Sequence, residues 1–260
     1  LFYAPLALDF IYAECEVDMQ LLAAQQGWRL VYASLDQDQH HADDTDGTDL
    51  ESNEHFSDKP ASALFAHDEL KIACLSVRGT ATINDVVTDI RAMPVPFPQQ
   101  TDEDCDASRY YSSTNSDWTP VSANKGLSLC GMAGAAMNLY RETADSVILL
   151  ARNGYKIRIV GHSLGGGVAA LLGVLMLKHI NKNYPDFFKS VAHKEDFLRV
   201  YGYGTPSCVD ASLADSMRQF VTNVVLHDDV VPRLTPTSIR SLLKHLLYIR
   251  ETWVKDHLTD

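Results

Sequence analysis

Basic residues are scarce in this chain. Lys and Arg number 22 against 34 Asp and Glu, a formal net charge of −12. That balance excludes the broad cationic surface needed to grip nucleic acid and gives no general attraction to anionic lipid; only a local apolar surface could reach a lipid phase. Cysteine is also sparse: Cys15, Cys74, Cys105, Cys130 and Cys208, an odd number with no C-x-x-C spacing. The spacing argues against a bound metal. The odd count favours a reducing compartment, with one or two disulfides and a spare thiol as the alternative, and Cys74 in an apolar run reads as a core thiol. No run comes near the roughly 18 consecutive apolar residues of a spanning helix, so no segment is expected to cross a membrane. The opening residues 1–12 are apolar but hold Pro5 and Asp9 and lack a basic flank, so no signal peptide is expected there. No methionine opens the chain, which is read as a fragment or processed domain of something longer. Internal repeats are absent.

What is present fits one large α/β domain spanning 1–260. Hydrophobic residues make up 46% and charged residues 22% of the sequence, ordinary values for a globular protein with a full core. Residues 1–33 read as helical cover, with apolar positions at helical spacing around Leu21, Leu22, Trp28 and Leu30. Residues 34–60 form an acidic loop. Within it Asp44-Thr45-Asp46-Gly47-Thr48-Asp49 is a faint calcium-loop pattern without the full register, so a solvated loop is expected, with a calcium-regulated lipid-binding domain as the competing reading. Residues 62–79 are predicted as a hairpin turning at His67-Asp68-Glu69. Helix is predicted near 84–92 and over 127–152. Strands are predicted at 157–160, 198–203 and 221–226, and one tail helix over about 238–258. Residues 93–126 are rich in Pro, Ser, Asp and Thr, with Phe97, Tyr110, Tyr111 and Trp118 interspersed, a long insertion of the kind that forms a lid or varies freely. Alternating strands and helices predict a mostly parallel sheet flanked by helices on both faces.

One motif carries chemistry. Gly161-His162-Ser163-Leu164-Gly165 lies between the strand-like Ile157–Val160 and the apolar stretch Leu164–Ile180. A G-x-S-x-G between strand and helix is a nucleophile elbow: the sharp turn lifts the serine hydroxyl above the sheet edge and aims the helix N-terminus at the reacting carbonyl. A serine hydroxyl needs a general base, normally a histidine held by a carboxylate. In chain order the base must follow the acid.

Three patterns in order, Ser76-Val77-Arg78-Gly79-Thr80, the elbow, and His227-Asp228-Asp229-Val230-Val231-Pro232-Arg233, resemble the class 3, fungal-lipase-like α/β-hydrolases. The stretch from Arg78 to Ile90 is similar to the R-G-T-x-x-x-x-D-x-x-T-D-[LI] pattern of the sn-1-specific diacylglycerol lipases. The likeness covers about 62–250. It implies Ser163 as nucleophile, and Thr80 and Leu164 as the backbone donors of the oxyanion hole. It implies Asp229 as the acid, with Asp228 its adjacent competitor, and places 93–126 at the lid. Only His245 and His257 follow Asp229; both fall in one predicted helix, whereas the family's base sits past a further strand. The base is therefore expected beyond residue 260, with His257 the candidate inside the chain. His162 reads as a packed neighbour of the nucleophile, His227 as a surface residue, and Arg233 and Asp85 as structural. The implied reaction is serine hydrolysis of glycerolipid esters, di- or monoacylglycerol, with phospholipase A1 or general carboxylesterase activity as the alternative and a non-catalytic hydrolase-fold module as the second. It needs no cofactor or metal. The expected partner is a glycerolipid at a membrane or droplet surface, and the expected location cytoplasmic or peripheral to a membrane, with a membrane-anchored parent protein left open.

Overall fold

The computed structural model describes residues 2–35, 60–79, 94–97, 126–184 and 196–257. Residues 36–59 of the predicted acidic loop, the predicted 84–92 helix and most of the lid, together with Thr80, Asp85 and Cys105, lie outside them. Strands β1 (Arg29–Ser34), β2 (Ser62–His67), β3 (Ile72–Val77), β6 (Lys156–His162), β7 (Leu198–Tyr203) and β8 (Val221–Val224) form a six-stranded sheet in that spatial order. The pairings of β3, β6, β7 and β8 are parallel, and β1–β2 and β2–β3 are antiparallel. A separate antiparallel pair, β4 (Pro94–Phe97) and β5 (Gly126–Leu129), brackets the insertion.

Side chains alternate across β3 as strand geometry requires. Ala73, Leu75 and Val77 face α3 (Cys130–Arg152), α4 (Leu164–Asn183) and α5 (Ala211–Met217); Ile72 and Cys74 face α1 (Ala4–Leu8) and α2 (Glu16–Gln25). Helices therefore cover both faces, as the alternation of elements predicts. The Ser76 hydroxyl donates to the Leu6 carbonyl at 2.7 Å and ties α1 to β3. On the same face the buried Arg158 guanidinium reaches the Tyr3 hydroxyl at 3.2 Å and the Asp196 carboxylate at 2.9 Å. This charge is therefore compensated rather than stranded.

Two expectations are corrected. Residues 1–33 are not all helical: α2 stops at Gln25, Gly27 turns the chain at φ +77°, and β1 follows. Val31 and Tyr32 belong to a short β-branched and aromatic run. Its pairing with β2 outweighs the apparent helical spacing of Trp28 and Leu30. The helix predicted from 127 starts at Cys130, because 126–129 pair with β4.

By length and mean hydropathy α4 could cross a membrane, yet 72% of its apolar window is buried inside this fold. It is the central core helix. The tail helix α6 (Pro236–His257) forms as predicted, and its large apolar residues from Leu242 to Trp253 are exposed rather than packed.

Candidate active site

The elbow forms where the motif places it. Strand β6 ends at His162, α4 starts at Leu164, and Ser163 between them adopts φ 54° and ψ −126°. That conformation is costly for any residue with a Cβ. The Ser163 N–H donates to the Tyr203 carbonyl at 2.9 Å, and its own carbonyl accepts from Gly166 at 3.0 Å, so neighbouring backbone holds the strain in place. The flanking glycines are sterically required. A Cβ at 161 would lie 2.3 Å from the Gly165 carbonyl oxygen, and one at 165 would lie 2.4 Å from that of Val77. Ser163 is 6% exposed, and Leu164 is buried at the first position of α4.

The Arg78-Gly79 segment packs on this turn. A Cβ at 79 would fall 2.5 Å from the His162 carbonyl oxygen, and the Gly79 N–H donates to the Tyr12 hydroxyl at 3.2 Å. The Arg78 guanidinium lies over the Tyr12 ring, 5.1 Å from its centre. Tyr12 was not singled out from the sequence; no local motif marks a residue that acts 67 positions away. Thr80 itself lies outside the described residues.

After β8 the chain makes a tight turn. His227 sits at φ 43°, and the Asp229 N–H donates to the Leu226 carbonyl at 2.9 Å. Asp229 Oδ1 accepts from the Val231 N–H at 3.0 Å. Its Oδ2 faces Gly204 so closely that a Cβ there would lie 2.7 Å away, and the same point is 3.9 Å from His162 Nε2. The Asp229 carboxylate and the His162 ring thus converge over Gly204, itself at φ +60°. In the sequence Gly204 is marked only as the residue that follows the predicted strand 198–203. Asp228 is exposed, whereas Asp229 is half-buried. Burial pushes the His162 imidazole below its ordinary pKa, and the Asp229 charge opposes that shift. Arg233 donates to the carbonyls of Asp229 and His227, the latter at 3.1 Å, and so staples the turn through backbone rather than a carboxylate.

His227 is exposed on this turn and His245 is exposed on α6. His257 closes α6, and its side chain lies outside the described part of the structure. The structure therefore brings Ser163, Leu164, Gly79, Asp229 and His162 to one end of the parallel strands and leaves His245 out on a separate helix. Among the described residues no group of three or more His, Cys, Asp or Glu is arranged to hold a metal ion.

This geometry has known counterparts. Residues 74–239, well over half of the chain, match the family model described as lipase (class 3). Mouse (Mus musculus) diacylglycerol lipase-beta is 27% identical over 181 residues, covering 67% of this chain and 22% of that protein; the chain thus spans about a fifth of that relative's length. The Rhizomucor miehei lipase in its propeptide complex superposes with a TM-score of 0.60 at 17% identity, over 92% of this chain and 63% of that one. A triacylglycerol lipase whose catalytic centre is a serine protease triad superposes with a TM-score of 0.54 at 15% identity, over 92% of this chain and 70% of that one. Structural likeness at such identities establishes the α/β-hydrolase fold. Together with the matched family model it means that this chain belongs to the class 3 lipases.

Proposed function

We propose that the chain is the catalytic core of a serine hydrolase that cleaves carboxylic esters of glycerolipids, di- or monoacylglycerols, through an acyl-Ser163 intermediate. The observation that carries this reading is the strained Ser163 at the junction of β6 and α4, in a chain of the class 3 lipase family. Strain at one non-glycine residue, held by backbone hydrogen bonds on both sides, has a purpose if that hydroxyl must be presented to substrate. The match to a diacylglycerol lipase supports the substrate class.

In this mechanism Ser163 Oγ adds to the ester carbonyl while its proton passes to a histidine. In this reading the oxyanion is received by the N–H groups of Leu164 and Thr80; Gly79, the residue before Thr80, packs on the elbow. Collapse of the tetrahedral species expels the glycerol oxygen, which leaves protonated. Water then cleaves the acyl-serine, releasing fatty acid and restoring the hydroxyl. Asp229 orients the base and balances its charge. Its support is position: the carboxylate is fixed by the Val231 N–H and turned toward the elbow, whereas Asp228 is exposed. The base is His257 or a histidine beyond residue 260.

The test is labelling by a fluorophosphonate probe with peptide mapping, on this chain and on a C-terminally extended form. Adduct on Ser163 in the short form means that the base lies within this chain and makes His257 the first residue to substitute, and adduct only in the extended form places the base later. No adduct in either, with folding shown by circular dichroism, overturns the reading in favour of a non-catalytic hydrolase-fold module. A headgroup and chain-length panel then separates acylglycerol lipase from phospholipase A1 or a general carboxylesterase.

A further inference from the structure

Among the described side chains of α6, the large apolar ones stand exposed. Leu242, Leu246, Ile249 and Trp253 follow one another at helical spacing. Leu243 and Leu247 lie beside them, and all six are between 47% and 58% exposed. A contiguous apolar stripe of this size left in water marks a contact surface. The helix is also basic where the chain is acidic. From Pro236 to His257 there are four basic residues, Arg240, Lys244, Arg250 and Lys255, against two acidic ones, in a chain whose net charge is −12. At about 3.6 residues per turn, Arg250 projects from within the apolar stripe and Lys244 from the opposite face.

We propose that α6 is an interfacial anchor that lies on an anionic lipid surface, its leucine and tryptophan stripe among the acyl chains and its basic residues at the headgroups. The charge surplus on this one helix selects the occupant. A second copy of the chain seated on the same face would trap Arg250 in an apolar seam, whereas at a lipid surface its guanidinium snorkels to the headgroups while its methylenes stay in the apolar layer. Continuity with the site adds to the argument. Leu226 and Val230, 76% and 58% exposed, flank the Asp229 turn after β8, so exposed apolar surface borders the turn whose carboxylate meets His162 over Gly204. The inference rests on the glycerolipid reading and says how the enzyme reaches its substrate.

The experiment uses the Ser163→Ala chain, so that binding is read without turnover. It is mixed with vesicles of phosphatidylcholine alone or with phosphatidylserine added, and partitioning is measured by sedimentation. Expected are binding that needs phosphatidylserine and weakens with salt, and quenching of Trp253 by brominated acyl chains, read against Trp253→Phe. Replacing Arg240, Lys244 and Arg250 together by Gln is expected to lower partitioning about 100-fold, at about fivefold for each charge. Leu246→Glu is expected to abolish it. With Ser163 restored in whichever form the fluorophosphonate probe labels, this chain or the C-terminally extended one, both α6 variants should hydrolyse a short water-soluble ester as well as their parent, which separates failure of the anchor from failure of the catalytic reading. Absence of binding, equal binding to both vesicles, or binding unchanged by the α6 substitutions overturns the proposal. So does a dimer in sedimentation velocity that Leu246→Glu disperses, which would assign the face to a second copy.

Discussion

The α-carbon of Gly79 lies against the carbonyl of His162, with no room for a side chain between them. This contact joins the segment after β3 to the nucleophile elbow. Gly79→Ala would place a methyl 2.5 Å from that oxygen. Overpacking of this kind costs about 1–3 kcal/mol, and on the proposed mechanism a shift at this contact disturbs the oxyanion hole. We expect a modest drop in melting temperature and a fall in kcat of about 100-fold, measured on the same preparation.

Ser163 separates strain from chemistry. Ser163→Gly relieves a positive φ and should stabilise the chain by about 1 kcal/mol while abolishing hydrolysis and probe labelling. Ser163→Ala keeps the strain and should lose activity at unchanged stability. Urea midpoints for the three proteins check the ordering; activity retained by either variant removes Ser163 from the mechanism.

The acid is tested by contrast. Asp229→Asn should lower kcat by about 10⁴, whereas the exposed Asp228→Asn should leave it near the parent value. Gly204→Ala, aimed at Asp229 Oδ2, should reproduce part of the Asp229 defect without touching a reacting group. Equal effects at 228 and 229 would reject the assignment.

His162 gives a pH signature. Burial holds its folded pKa below the ordinary value, so between the two values the unfolded chain binds the extra proton. Its contribution to stability therefore rises with pH across that window and is lost as pH falls below about 6.5. Asp229→Asn removes the opposing charge and should depress the His162 pKa further. NMR titration of the imidazole reads this directly, and an upward movement would contradict the placement of the two groups.

Acid sensitivity has a second source far from the site. Arg29 donates to both Asp68 oxygens, at 3.2 and 3.1 Å, and the Tyr155 hydroxyl donates at 2.6 Å, which lowers the Asp68 carboxyl to about 2. A lowered carboxyl stabilises fully above its unfolded value of about 3.9 and loses that effect as pH falls through about 2. Asp68→Asn should flatten stability across this interval, read from urea midpoints at successive pH values.

Local rules made the elbow legible. Gly161, Ser163 and Gly165 are demanded by clashes within a short stretch of chain and the strand beside it, so their spacing announced the turn, and the continuous apolar runs on either side announced a buried strand and a core helix. The hairpin and the tail helix were equally local. Tertiary structure decided what depends on partners distant in sequence. Strand β1 exists because β2 offers it an edge, which overrode an apparent helical spacing, and β5 exists because β4 pairs with it. The carboxylate turned toward the elbow, that of Asp229 rather than Asp228, depends on a turn held by Arg233 and on Gly204 leaving space. Whether the apolar stripe of α6 is buried or exposed is not written in its periodicity, because the same amphipathic pattern suits both; only the tertiary structure shows Leu242, Leu246, Ile249 and Trp253 about half exposed.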